Sequence, residues 1–261
     1  MSDASHRFDP PPGGGYPGVD GHAVTWGDEP LNRLAAAMRR VTAVMVGQPL
    51  GEEDVTEAAD EVAALADGLE AAAQAEKRPR NQPSADGHPQ DLFSTSPVIG
   101  FANPVAPPVE VWAVEGENGQ REVRGRVTFG YAYEGPPTCV HGGVIAELFD
   151  ELLGMCNILV DEGAMTGTLT IRYRRPTPLL APLELVARHT GKEGRKVYAW
   201  GAIYSQGELT AEAEGIFILV PPGRMLNIVS GNAHGTEAPL VDPDWQRAMA
   251  REHAKKSDLA T

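Results

Sequence analysis

The chain has 261 residues, enough for one large domain or two small ones, and 42% of them are hydrophobic, ample for a packed core. Its 22 Lys and Arg against 36 Asp and Glu leave a formal charge of −14, which repels phosphate backbones and anionic membrane surfaces and argues against nucleic acid or membrane as a partner. Two cysteines, Cys139 and Cys156, make no disulfide framework. With no long apolar run and no apolar leader, a soluble, unprocessed, cytoplasmic protein is expected.

Residues 1–27 include Pro10-Pro11-Pro12-Gly13-Gly14-Gly15 and are expected to be a flexible lead-in, because such a composition cannot bury enough apolar area to offset chain entropy. Residues 28–77 read as a helical extension. Leu31, Leu34, Met38, Val41 and Met45 recur at steps of three and four, and after the break at Gly47 to Gly51 the same spacing returns in Val55, Ala58, Val62, Leu65, Leu69 and Ala72. The two apolar stripes are expected to pack on each other as a helical hairpin that leans on the main domain. Residues 78–92, with Pro79 and Pro83 and the basic cluster around Arg78 and Arg80, read as a solvated linker.

From residue 93 to 222 the texture is that of one α+β domain. Val109 to Val114 and Val123 to Phe129 alternate about a Glu117-Asn118-Gly119 turn and form a hairpin. Val144, Ile145, Leu148, Phe149, Leu152 and Leu153 then mark a buried helix. In the strand that follows, strict alternation places Thr166, Thr168, Thr170, Arg172 and Arg174 on one face and Leu169, Ile171 and Tyr173 on the other, before Pro176 ends it. Leu183 to Thr190, Lys196 to Tyr204 and Leu209 to Val220 complete the strands, the last two as a hairpin about Ser205-Gln206-Gly207. Small residues there, among them Gly201 and Gly215, let something approach closely. A curved antiparallel β-sheet wrapped around a central helix satisfies this order. Residues 223–261 read as a tail, with a short helix near Asp244 to Lys256.

Chemistry concentrates at the start of the buried helix. His141-Gly142-Gly143 lies where the first backbone N–H groups have no intrahelical partner and the helix dipole is positive, an arrangement that holds an oxyanion. Asp150 falls among Leu148, Phe149 and Leu152 and reads as a buried carboxylate with a function, whereas Glu147 and Glu151 read as the helix's wet face. Gly142 and Asp150 are eight residues apart, on the order of 12 Å along one helix, so they cannot both reach one carbonyl. The carboxylate serving Gly142 has to come from another copy of the helix, which makes the protein a homodimer with shared sites.

With these residues, Gly154 and the turn Gly194-Arg195-Lys196, the stretch from about 130 to 220 resembles the hotdog-fold acyl-CoA thioesterases. It is similar to the phenylacetyl-CoA thioesterase branch and to the animal thioesterase superfamily members. The shared pattern is Glu134-Gly135-Pro136-Pro137, Val140-His141-Gly142-Gly143, Asp150, and Tyr173-Arg174-Arg175-Pro176. The resemblance implies hydrolysis of an acyl-CoA to a free acid and CoA. In it the Gly142 amide, with Gly143, polarises the carbonyl and His141 fixes the loop, while Asp150 of the other subunit acts as base or nucleophile. Thr166 orients water or carboxylate, and Arg172, Arg174, Arg195 and Lys196 line the coenzyme A site. A homodimer or a dimer of dimers is implied. The phenylacetyl-type Asn before the His is absent between Gly130 and Val140, which counts against an aromatic acyl group. No cofactor and no metal is expected, since the seven His residues show no ligand spacing. The alternative is a non-catalytic acyl-CoA-binding or sensing protein on the same fold. A hotdog hydratase is disfavoured, because the Asp-x-x-x-x-His pattern of that branch is missing.

Overall fold

The computed structural model describes residues 30–73, 94–116, 119–159 and 164–220. The lead-in, the linker at 78–92, and the tail with its expected terminal helix lie outside the described residues. Six strands form one antiparallel sheet: β1 (Glu110–Glu115), β2 (Arg121–Thr128), β3 (Ala164–Tyr173), β4 (Pro182–Glu193), β5 (Lys196–Ser205) and β6 (Glu208–Leu219). Their order across the sheet is β1-β2-β4-β5-β6-β3. Short turns join β4 to β5 and β5 to β6, whereas the neighbours β2 and β4, and β6 and β3, are not consecutive in the chain. Gln206 and Gly207 both have positive φ, 51° and 80°, the backbone of a tight two-residue hairpin turn between β5 and β6.

Three helices are described: α1 (Pro30–Gly47), α2 (Glu52–Ala72) and α3 (Gly142–Leu159). Helix α3 meets β2, β3, β4, β5 and β6. Five strands laid flat would span about 19 Å, nearly twice a helix diameter, so the sheet must curl round α3 to touch it with all five. Ile145, Leu148, Phe149, Leu152, Leu153, Met155 and Cys156 of α3 are buried in the core. The close approach expected at the small residues is made by Leu153: a Cβ on Gly201 or on Gly215 would lie 3.1 Å from one of its methyl carbons.

Two expectations for the helices and the edge strand need correction. The helical pair does not pack face to face. Helix α1 lies against the domain, with Ala35 buried and Arg39 donating to the carbonyls of Phe101 and Asn103, but α2 buries none of its residues. Strict alternation along β3 also fails. Gly167 is an extra residue in the ladder, because Thr166 pairs with Phe217 while Thr168 already pairs with Ile216. Paired residues share a face, so Thr166 lies with Leu169, Ile171 and Tyr173, opposite the buried Phe217, Ala213 and Ala211. Thr168, Thr170 and Arg172 stay on the outer face.

Residues 94–109 form a segment of turns that buries Val98, Ile99, Ala106 and Val109, the first two and the last within the core cluster. Ser96 shapes it by accepting from the amides of Val98 and Ile99. Gly100 is required there, since its Cβ would sit 2.5 Å from the Ser96 backbone. Among the described residues no helix is long and apolar enough to cross a membrane.

Candidate active site

The loop before α3 is built by backbone pairing. The Gly135 amide donates to the Cys139 carbonyl, the Cys139 amide to the Pro136 carbonyl, and the Thr138 amide to the Glu134 side chain, while Thr138 takes the turn's positive φ of 66°. His141 is anchored by its amide to the Tyr133 carbonyl, 2.9 Å away. A Cβ on Gly135 would lie 2.7 Å from the His141 Cα, so only glycine lets these two backbones meet.

At the helix start the two glycine amides are not equivalent. The Gly143 N–H donates to His141 Nδ1 at 3.0 Å, which makes Nδ1 the ring nitrogen without a proton and satisfies one orphan donor of α3. The Gly142 N–H meets no acceptor among the described residues. Its own carbonyl accepts from the Tyr173 hydroxyl at 2.8 Å, which ties the helix start to the end of β3. In sequence Tyr173 is placed on a strand face and in the Tyr-x-Arg-Pro pattern, with no role in the site. One donor therefore remains for a ligand where the sequence suggested two.

Asp150 is exposed, contrary to the expectation of burial. It belongs to the stripe Gly143, Glu147, Asp150 and Ile158, the exposed face of an otherwise buried helix. The Thr166 hydroxyl, turned inward by the bulge at Gly167, donates to Asp150 Oδ1 at 2.7 Å. Oδ2 meets no hydrogen-bond donor among the described residues. Its neighbour Glu151, expected on the wet face, is instead half-buried: burial, helped by the nearby Asp150 charge, pushes its carboxyl up to about 7, against a Ser96 hydrogen bond that lowers it. Nothing along the chain signals this, because the partner, Ser96, lies far from Glu151 in sequence.

The four expected cations are divided. Arg172 pairs with Glu214 and Arg174 with Glu212, both on the outer face. Arg195 donates to the Leu219 carbonyl, and Lys196 opens β5 beside it; neither has a carboxylate partner among the described residues. Lys196 pairs with Ile218, which pairs with Met165, so the two free cations stand at the end of the sheet that carries Thr166.

A sheet curled round one helix, with a bare amide at that helix's start and a held carboxylate on its open face, defines a hotdog-fold protein. No protein-family model matches the chain. A solved structure of a thioesterase superfamily protein is 33% identical, with a TM-score of 0.65, over 74% of this chain and 92% of that one. The chain belongs to the thioesterase superfamily. Acyl-coenzyme A thioesterase THEM4 of Mus musculus is 39% identical over 100 residues, 37% of this chain and 43% of the relative. Its Xenopus laevis counterpart is 36% identical over 91 residues, 34% of this chain and 41% of the relative. The chain thus matches less than half the length of these curated relatives.

Proposed function

We propose that the protein is an acyl-CoA thioesterase that works as a homodimer, each site joining the Gly142 amide of one protomer to Asp150 of the other. The observation that carries this reading is the Thr166 to Asp150 hydrogen bond on the exposed face of α3, together with a Gly142 amide at the start of the same helix that meets no acceptor among the described residues. A carboxylate held by one oxygen and open at the other is suited to take a proton from water, so Asp150 serves as general base. Water attacks the carbonyl carbon, the Gly142 N–H of the partner protomer stabilises the oxyanion, and the C–S bond breaks to release CoA thiolate and free acid.

Dimerisation is supported by β3, an edge strand whose outer side has no neighbour among the described residues and whose own residues are mostly exposed. Pairing it with a second copy would cover that edge and bring one α3 past the other. Arg195 and Lys196 suit the CoA phosphates. Arg172 and Arg174 already have carboxylates on the opposite face, and we assign them to strand pairing rather than substrate. The name carried by the mouse and frog relatives supports the choice of acyl-CoA as thioester.

The test is turnover of an acyl-CoA panel. Asp150→Asn should lower kcat by about 10²- to 10⁴-fold with the fold intact. Gly142→Pro removes one N–H at a position where proline suits a helix start, and should lower kcat by about 10²- to 10³-fold. In ¹⁸O-water a single turnover should label the product acid and leave Asp150 unlabelled. Tight acyl-CoA binding with no hydrolysis by the wild type would replace this reading with the sensor.

A further inference from the structure

Helix α2 is a physical anomaly. It runs for 21 residues, about 31 Å, yet every one of them is exposed. An isolated helix gains little from propensity alone and owes its stability in proteins to the burial of an apolar face. Such a face exists: Val55, Val62, Leu65 and Leu69 recur at steps of three, four and seven, and each is between 37% and 48% exposed. Every charged residue of α2 is acidic. By the same helical spacing Asp54 and Glu61 border the apolar stripe on one side, and Glu52 and Glu70 on the other.

The surface that matches it is on α1. Its last residue, Gly47, packs against the Tyr131 ring, but between Arg39 and Gly47 the side chains of Val41, Val44 and Met45 lie exposed along one stripe. Every charged residue of α1 is an arginine. Arg39 faces the domain, but Arg33 and Arg40, seven apart, are exposed beside Val44 on the flank of the stripe, and they make no ion pair among the described residues. The residues between the helices, 48–51, are enough for α2 to fold back on its own α1. It does not do so, since it buries nothing.

We propose that α2 of one protomer docks on the outer stripe of α1 of a second copy, apolar face to apolar face, with Asp54 and Glu61 opposite Arg33 and Arg40. Two-fold symmetry makes the exchange reciprocal, so each dimer holds two such contacts. The occupant is a second copy because the chain itself carries the complementary stripe and the opposite charge, and because its own α2 leaves that stripe uncovered. This contact is separate from the β3 edge and does not depend on the chemistry assigned to Asp150.

Hydrogen exchange of the α2 amides, read by mass at low ionic strength, tests it. In the wild-type protein α2 should exchange at least about tenfold more slowly than an undocked helix. Arg33→Glu with Arg40→Glu in one chain, or Asp54→Lys with Glu61→Lys in another, should each abolish that protection. All four positions are exposed, so the domain should fold normally. An equimolar mixture of the two reversed chains should restore protection in both kinds of α2 peptide, which differ in mass. Rescue only when all four changes share one chain would show α2 folding back within a protomer and would overturn the proposal. An α2 that is unprotected in the wild type, or indifferent to the α1 changes, would overturn it equally.

Discussion

Asp150 and Glu151 are adjacent carboxylates with opposite surroundings. Asp150 projects into the open and is held by Thr166, while Glu151 is half-buried with Ser96 as its hydrogen-bond partner and its carboxyl is pushed up from an ordinary 4.5 to about 7. The folded chain keeps the Glu151 proton up to about pH 7, whereas the unfolded chain gives it up near 4.5. Between those values the folded state binds more protons, so stability falls as pH rises through that window and levels off above it. We expect Glu151→Gln to remove this part of the slope and to raise stability at pH 8 by on the order of 1–3 kcal/mol. Urea unfolding at pH 5 and pH 8 measures it, and equal slopes in variant and wild type would refute the assignment. A neutral Glu151 also spares Asp150 a like charge at the next position. Cys156, whose thiol burial pushes up to about 12, is a packing residue.

At the scale of elements, two small irregularities place the candidate catalytic groups. The bulge at Gly167 turns Thr166 from the outer face to the inner one, where its hydroxyl reaches α3. The second is the contact of Gly135 with His141, which sets the position of the loop that presents the Gly142 amide. Gly135→Ala puts a methyl group 2.7 Å from a backbone carbon that cannot swing away, so the loop has to shift. We expect a loss of about 1–3 kcal/mol in thermal unfolding together with reduced kcat. Wild-type turnover in Gly135→Ala would mean that the loop does not position the oxyanion donor.

At the scale of the whole molecule, sharing of the sites can be read from mixtures. Gly142→Pro and Asp150→Asn each spoil both sites of their own homodimer. In a random mixture half of the dimers pair one of each, and such a dimer keeps one intact site of two, so about a quarter of wild-type activity should return. Each variant alone should stay inactive. No recovery on mixing, after unfolding and refolding the chains together, would mean that Gly142 and Asp150 of different protomers do not meet.

Much of this was legible along the chain because it depends on local periodicity and spacing. The strands, the apolar helix and the glycines at its start were all readable, and the rise of a helix by itself separates Gly142 from Asp150. Burial was not. Asp150 looked buried because its neighbours in sequence are apolar, and Glu151 looked exposed because it is charged, but what covers a helical residue is decided by whichever distant segment lands on it. The same holds for Thr166, whose face was set by one inserted residue in a ladder that only the pairing with β6 reveals. It holds too for α2, whose stripe is plain in the sequence while its lack of cover among the described residues is a property of the folded protomer. Periodicity fixes which side of an element is apolar, and only tertiary packing decides what that side meets.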